Sequence, residues 1–581
     1  MTRDFPRRHV LLLGLMVAVH AAWLWAFSGP VYAGADAAGY FTPARLLVTE
    51  GTTSLHPASP AEFIGYHWLD GDDGRFYVRY PPGLPLILAT ADSLGGSTAA
   101  QAVTRLLATL SVLLFFLLAR RWVGSRLALA GTLAWVTLPV LNEQALQGFS
   151  HVPTVTCLLA GLFFVEMWRE RPRPWLALLT GLFLGTLPAI RYPAVLLGLG
   201  VGLYALLGSR SSPHRRQFTY LLLGAALPIS ALLVYNQLVL GGPLRTAYDF
   251  TREQSSFGLA YFSRNLLGYA GTMVRNAGAI ALFGTIGMAV LAAGRQHRSR
   301  GALLLGLTAT VTAMYTAYYW PLTDIRFLLP ILPLFLLAAL CFVAGLRRGR
   351  IRRVTLMVFL GLHLLVALPD GALRMQSLGR RIERATLLIE GVALSIPTGS
   401  VIVAPHAVQT LLDPYRSWKL AEWTLLWPGQ LPPPPPEVPA PINRAGERQA
   451  SPFQPRKGEK LRAPYAGLEE REKYQAVMRD LLAWSRRDSI YWIAERAWIE
   501  AIRPYLDGLV RFDQMGRIPP PELDERLRRL GRQRQFWIPD LPLELYSVTP
   551  TGTSTIARPR PGAGALESDR QAPPGPSRTP S

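Results

Sequence analysis

The chain has 581 residues, of which 50% are hydrophobic and only 17% charged, a balance too apolar for an ordinary soluble domain or a disordered chain. Lys and Arg number 60 against 38 Asp and Glu, giving a net charge of +22, but the arginines fall between apolar runs, so the excess does not point to nucleic acid. The two cysteines, Cys157 and Cys341, lie inside such runs, and neither a disulfide framework nor a thiolate metal cluster is expected.

From Val10 to Pro369, apolar stretches approaching the roughly 20 residues of a spanning helix recur with short polar or basic punctuation. They predict a mainly α, polytopic membrane protein with about eleven transmembrane helices. The spans fall near 9–27, 99–119, 126–142, 151–168, 174–190, 193–208, 218–237, 276–294, 301–320, 327–346 and 354–369. Alternate loops are all basic: Arg3/Arg7/Arg8, Arg120/Arg121/Arg126, Arg169/Arg171/Arg173, Arg210/Arg215/Arg216, Arg295/Arg298/Arg300, and the run from Arg347 to Arg353. Because Lys and Arg accumulate on the cytoplasmic side, the N-terminus is expected inside and the sequence after Pro369 outside, as in a multi-pass protein of the inner (plasma) membrane. Pro82–Leu94 is apolar but too short to cross, and reading it as an interfacial helix keeps this alternation intact. Ala33-Gly34-Ala35 has the form of a signal-peptidase site, but the preceding apolar core is long and more spans follow, so a retained anchor is expected.

Beyond the spans, residues 371–550 read as a small mixed α/β exterior domain. Ser400–Ala404 predicts a short buried strand, and 468–513 shows helix-like apolar spacing that includes Tyr491, Ile493, Trp498 and Ile499. A proline-rich insertion near 431–465 predicts an extended spacer, and residues 551–581, rich in Pro, Gly, Ser and Arg, a disordered tail.

The sequence lacks G-x-x-x-x-G-K-[ST], H-E-x-x-H, C-x-x-C and G-x-S-x-G, which removes the familiar ATP-driven, zincin and serine-hydrolase chemistries. The outer loops instead gather carboxylates, arginines and aromatic residues beside an apolar bundle. The first outer loop contains Gly34-Ala35-Asp36-Ala37-Ala38-Gly39-Tyr40, Ala44-Arg45-Leu46-Leu47, and Tyr80-Pro81-Pro82-Gly83. Farther on come Leu240-Gly241-Gly242-Pro243-Leu244-Arg245-Thr246-Ala247-Tyr248 and Arg326-Phe327-Leu328-Leu329-Pro330. Taken in order over about 1–370, these motifs resemble the membrane glycosyltransferases of the GT-C fold, in the family 39 group of dolichyl-phosphate-mannose and RgtA/B/C/D-like enzymes.

The resemblance implies a polyprenyl-phosphate sugar as donor, an acceptor hydroxyl on a glycan, lipid or protein, and no cofactor; a divalent cation is not indicated by any motif. Position by position, the family's catalytic acid is Asp36, while Ala37 stands where many relatives carry Glu. A carboxylate can take the acceptor's proton as attack begins, and fixed cations can receive the charge that grows on the leaving phosphate. Asp36 could instead cap the helix that begins near Ala37. Glu143, Arg191, Arg245, Arg326, Tyr40 and Tyr80 are the substrate-binding candidates. The bland alternatives are a solvated acid for Glu143, lipid-headgroup contact for Arg191, pairing with Asp324 for Arg326, and a role in starting the interfacial helix for Tyr80. His151 reads as an interfacial histidine and Tyr248 as an aromatic-belt anchor. Asp73-Gly74 reads as a turn. A transporter or flippase for lipid-linked sugars and a non-catalytic cell-envelope assembly subunit are the competing functions.

Overall fold

The computed structural model describes residues 6–31, 35–65, 67–71, 73–208, 212–251, 257–294, 297–319, 325–431, 459–485, 489–530 and 541–551. Asp324, all but the ends of the proline-rich insertion, and the tail beyond 551 lie outside the described residues.

The first half of the bundle runs α1 (Arg7–Ala26), α2 (Ala35–Glu50), α3 (Gly83–Val123), α4 (Ser125–Val136), α5 (Pro139–Gln147), α6 (His151–Glu170), α7 (Pro174–Ile190), α8 (Val195–Gly208) and α9 (Ser212–Leu240). It continues through α10 (Ala247–Thr251), α11 (Leu259–Ala293), α12 (Arg298–Thr316), a 3-10 turn at Ile325–Ile331, α13 (Leu332–Gly345) and α14 (Gly349–Ser395). Each of the eleven apolar stretches contains helix, and seven of the described helices are long and apolar enough to cross a membrane. The protein is therefore membrane-embedded and multi-pass.

Within α3, Gly95 and Gly96 leave helical geometry, Gly96 with φ of +68°, a conformation open to glycine. The break separates the expected interfacial segment, ending at Leu94, from the long span behind it. Small residues bring other helices together: a Cβ on Gly181 of α7 would meet the Leu221 carbonyl of α9, and one on Gly224 of α9 would meet the Leu178 carbonyl of α7. Such close backbone approach supplies dispersion contacts where lipid offers no hydrophobic drive. Several polar groups inside the bundle are paired, which lowers their cost in an apolar medium. His20 Nε2 meets Asn142 Oδ1 at 2.9 Å, Trp135 donates to Ser111 at 3.1 Å, and Glu166 accepts from Arg300 and Tyr204.

The first outer loop folds into a three-stranded antiparallel sheet, β1 (Ser54–Leu55), β2 (Trp68–Asp70) and β3 (Phe76–Val78), in the order β1-β3-β2. The turn at Asp73-Gly74 joins β2 to β3, with Gly74 at φ of +79° and Asp73 accepting from Tyr77 at 2.6 Å. The exterior unit has β4 (Val401–Val403), β5 (Lys419–Ala421), β6 (Ile490–Ala494), β7 (Val510–Ile518) and β8 (Leu543–Pro550) in the order β5-β4-β6-β8-β7. The pairs around β4 are parallel and those around β8 antiparallel. Tyr491 and Ile493 belong to strand β6, not to the helix their spacing suggested. That strand is buried along its whole length, so it shows no alternation of apolar and polar positions by which to recognise it. No break in the helix marks residue 370: α14 passes through Pro369 and carries Leu388 and Val392 into the core beneath the exterior sheet.

The exterior sheet is clasped to the first outer loop. Phe63 donates its N–H to the Leu420 carbonyl at 2.7 Å, and Glu422 donates to Ala61 at 2.8 Å. Thr42 on α2 donates to Asp413 at 2.7 Å, while Arg416 lies 3.9 Å from Glu62 and 3.6 Å from Asp413. Burial pushes the Glu62 carboxyl up to about 7, partly offset by the Ala58 N–H and by Arg416. A carboxyl whose pKa is raised on folding contributes stability that is complete below its unfolded value and lost as pH rises through its folded one. The clasp should therefore weaken between about pH 4.5 and pH 7. The Tm of the wild-type protein should fall by a few degrees across that window relative to Glu62→Gln, corresponding to ~3 kcal/mol at most; parallel melting curves would contradict this.

Candidate active site

Asp36 lies in the first turn of α2, where the helix dipole favours an acid. Because α2 begins at Ala35, the carboxylate is inside the helix rather than at the cap that is its alternative reading. It turns toward the bundle. Arg326, in the 3-10 turn that leads into α13, donates from Nη1 to Asp36 Oδ2 at 3.0 Å. His67 Nε2 stands 3.9 Å from the other oxygen, Asp36 Oδ1. The Asp36 side chain is 28% exposed and that of Arg326 19%, so the pair sits at the edge of the bundle's interior.

Around this pair the ends of several helices converge. Arg191, at the end of α7, donates from Nε to the Tyr315 hydroxyl at 3.0 Å and from Nη1 to His151 Nδ1 at 2.8 Å. The Arg191 guanidinium lies 5.3 Å from the Phe327 ring and that of Arg326 5.2 Å from the same ring, one aromatic residue thus serving both cations. Tyr40 stacks on Tyr80 with centroids 4.3 Å apart and 12° between planes, and its hydroxyl meets Ser150 at 2.9 Å. Burial pushes the Tyr40 phenol up to about 12 and that of Tyr80 well above its ordinary value, so both stay neutral at physiological pH.

Two candidates sit elsewhere. Glu143 accepts from Arg374 at 3.3 Å and from Gln147 at 3.1 Å, and Arg374 also pairs with Asp370 at 2.9 Å and with Asn276. This group ties α5 to α14 and α11. Arg245 donates to the Leu240 carbonyl at 3.2 Å and covers the Phe250 ring at 4.3 Å. Among the described residues, no group of three or more His, Cys, Asp or Glu is placed to hold a metal ion.

The sequence reading passed over His67 and set His151 and Tyr248 aside. The structure places His151, 5% exposed, against Arg191, and Tyr248 edge-on to Tyr192 at 5.3 Å. One signal for His67 was present in the sequence: Gly39, one turn after Asp36, leaves room on α2 for a close neighbour. A Cβ there would fall 2.5 Å from Tyr80 Cε2 and 2.8 Å from His67 Cγ.

Residues 79–235 match the model of the dolichyl-phosphate-mannose-protein mannosyltransferase family. Over the whole chain, the structure is similar to ArnT from Cupriavidus metallidurans bound to undecaprenyl phosphate, with 13% identity, 94% of this chain and 99% of that one covered, and a TM-score of 0.56. The apo state of the same protein gives 14% identity, 94% and 98% coverage, and a TM-score of 0.51. The chain has the GT-C fold. The oligosaccharyltransferase of Archaeoglobus fulgidus in its apo form is more distant, at 11% identity, 91% and 82% coverage, and a TM-score of 0.46. No curated protein matches the chain by sequence. Within this GT-C chain the family match opens at Arg79, just before the Tyr80-Pro81-Pro82-Gly83 motif, and runs through α9, so it spans Tyr80, Glu143, His151 and Arg191.

Substitution of Gly39 by Ala should displace Tyr80 and His67 from α2 while leaving the bundle folded. Turnover is expected to drop on the order of 10²-fold, the cost typical of misplacing site groups by about 1 Å, with an unchanged Tm; a fully active variant would show that the close packing is not needed.

Proposed function

We propose that the protein transfers a sugar from a polyprenyl-phosphate donor to an acceptor hydroxyl at the outer face of the cytoplasmic membrane, with inversion and with Asp36 as general base. The observation that carries this reading is the meeting of one carboxylate, Asp36, with Arg326, and of Arg191 with the same aromatic ring, at one end of an apolar bundle. Undecaprenyl phosphate in the similar ArnT structure supports a polyprenyl-phosphate ligand, and the partial family match supports sugar transfer.

The acceptor oxygen attacks the anomeric carbon, the bond from that carbon to the phosphate oxygen breaks, and the electron pair leaves with the polyprenyl phosphate. The acceptor's proton passes to Asp36. The leaving group needs no proton, because the guanidinium groups of Arg326 and Arg191 receive its charge through planar, paired donors. Arg326 holds Asp36 Oδ2 at 3.0 Å. A donor phosphate competes for that guanidinium and releases the carboxylate to accept a proton, which favours binding of donor before acceptor. The stacked Tyr40 and Tyr80, with neutral hydroxyls, supply an aromatic wall and hydrogen bonds for the sugar. Arg245 and Glu143 pair with groups outside this cluster, and we assign them to the approach of the acceptor or lipid.

The site, the first outer loop and the exterior domain (371–550) share one end of the bundle. In our reading this end faces outward and the N-terminus lies in the cytoplasm, because the arginine-rich loops occupy the alternate connections.

Asp36→Asn keeps the size of the side chain and removes the base. Protein incubated with radiolabelled undecaprenyl-phosphate mannose, glucose and galactose should release label from at least one lipid, and the variant should lose at least ~10²-fold in kcat. Undiminished release at equal protein level would overturn the assignment. Arg326→Lys retains charge but not the paired donors; it should raise KM for the lipid more than it lowers kcat, measured over a donor titration.

A further inference from the structure

Asp36 faces two cationic or donor-bearing neighbours, and the proposed mechanism uses only one of them. His67 lies just ahead of β2, where its carbonyl accepts from the Arg79 N–H at 2.9 Å and extends the β2-β3 ladder by a rung. The hydrogen bond fixes the backbone of His67. Its ring is fixed by packing: the side chain is 3% exposed, its centroid lies 5.2 Å from that of Tyr80, and Gly39 of α2 leaves the space it fills. An apolar ring would fill that space equally well. The imidazole instead places Nε2 3.9 Å from Asp36 Oδ1, the oxygen other than the one that accepts from Arg326.

We propose that His67 is a positioning residue for Asp36, donating from Nε2 to Oδ1 once Arg326 turns to the donor phosphate, so that Oδ2 is the oxygen left to take the acceptor's proton. This inference rests on the reading of Asp36 as the base. The separation of 3.9 Å exceeds a hydrogen bond by about 1 Å. A small rotation of the carboxylate closes that gap, and the ion pair with Arg326 opposes the rotation until phosphate competes for the guanidinium. A donor on Oδ1 restrains the plane of the carboxylate and stabilises its charged form. Without it, Asp36 would be freer to swing from the reacting hydroxyl and easier to protonate.

Groups that face Asp36 include Arg326 from the turn before α13, His67 from the head of β2, Tyr40 from its own helix and Tyr80 from just before α3. Arg326 remains cationic and both phenols remain neutral through the neutral range. A His67-dependent change in the titration of Asp36 therefore reports on the imidazole.

The test uses the full-length protein in lipid nanodiscs and labelling of Asp36 by dicyclohexylcarbodiimide, which reacts with protonated carboxyls, followed by mass spectrometry across pH. His67→Gln keeps a donor near the Nε2 position; His67→Phe keeps an aromatic ring against Tyr80 without a donor; His67→Met is a second apolar replacement should the Phe variant fail to fold. With undecaprenyl phosphate added to engage Arg326, the expected result is about tenfold more labelling of Asp36 at a pH about two units above its wild-type midpoint in the Phe or Met variant, the rise that a midpoint moved up by about one pH unit gives there, with the Gln variant close to wild type and all melting temperatures similar. Labelling unchanged by Phe or Met, or raised equally by Gln, would overturn the proposal. Asp36→Asn assayed in parallel for sugar release separates the two readings: retained turnover removes the base assignment whatever the labelling shows, whereas an inactive Asn variant with unmoved labelling removes only the role of His67.

Discussion

The ion pair between Asp36 and Arg326 holds together parts of the chain that are almost three hundred residues apart. Asp36 lies on the first helix after the opening span, and Arg326 in a 3-10 turn just before α13. At the edge of an apolar bundle, an unpaired carboxylate or guanidinium would be costly, and together they compensate each other's charge. The same pair gives the first outer loop a fixed seat on the helices. The contact is at once structural and responsive, since a phosphate would compete with the carboxylate for the guanidinium.

The geometry around the pair is built from short-range rules. Gly39 makes α2 thin at one point, Tyr80 and His67 fill that point, and Tyr40 stacks on Tyr80. Phe327, the residue after Arg326, lies beside both arginines and edge-on to His151 at 5.6 Å. Cationic groups whose repulsion would be severe in an apolar medium are thereby separated by a ring and given hydrogen-bonding partners. Farther out, Thr42 reaches Asp413 from the next turns of the helix that carries Asp36. The exterior domain is thus linked to the site by α2 as well as by the long helix α14, and movement of that domain would be felt at Asp36.

Much of this architecture was legible in the sequence. Apolar length fixed which stretches become helices, because a helix is the economical way to satisfy backbone polar groups in lipid. The order of the Asp36, Tyr80 and Arg326 motifs pointed to GT-C. The Asp36 and Arg326 motifs do meet in space. Less legible was which outer-loop charges would join them. Glu143, Arg245 and Arg191 look equivalent as charged residues beside apolar runs; only Arg191 shares an aromatic ring with Arg326, whereas Glu143 finds Arg374 and Arg245 finds Phe250.

By itself, then, the sequence determined the membrane medium and the succession of helices, since these follow from local hydropathy, charge and residue type. Tertiary structure alone decided that Asp36 lies within its helix instead of capping it, that Tyr491 and Ile493 belong to a strand, and that His67 comes to face the carboxylate. Those outcomes depend on contacts between segments far apart in the chain, whose partners no local periodicity or spacing specifies.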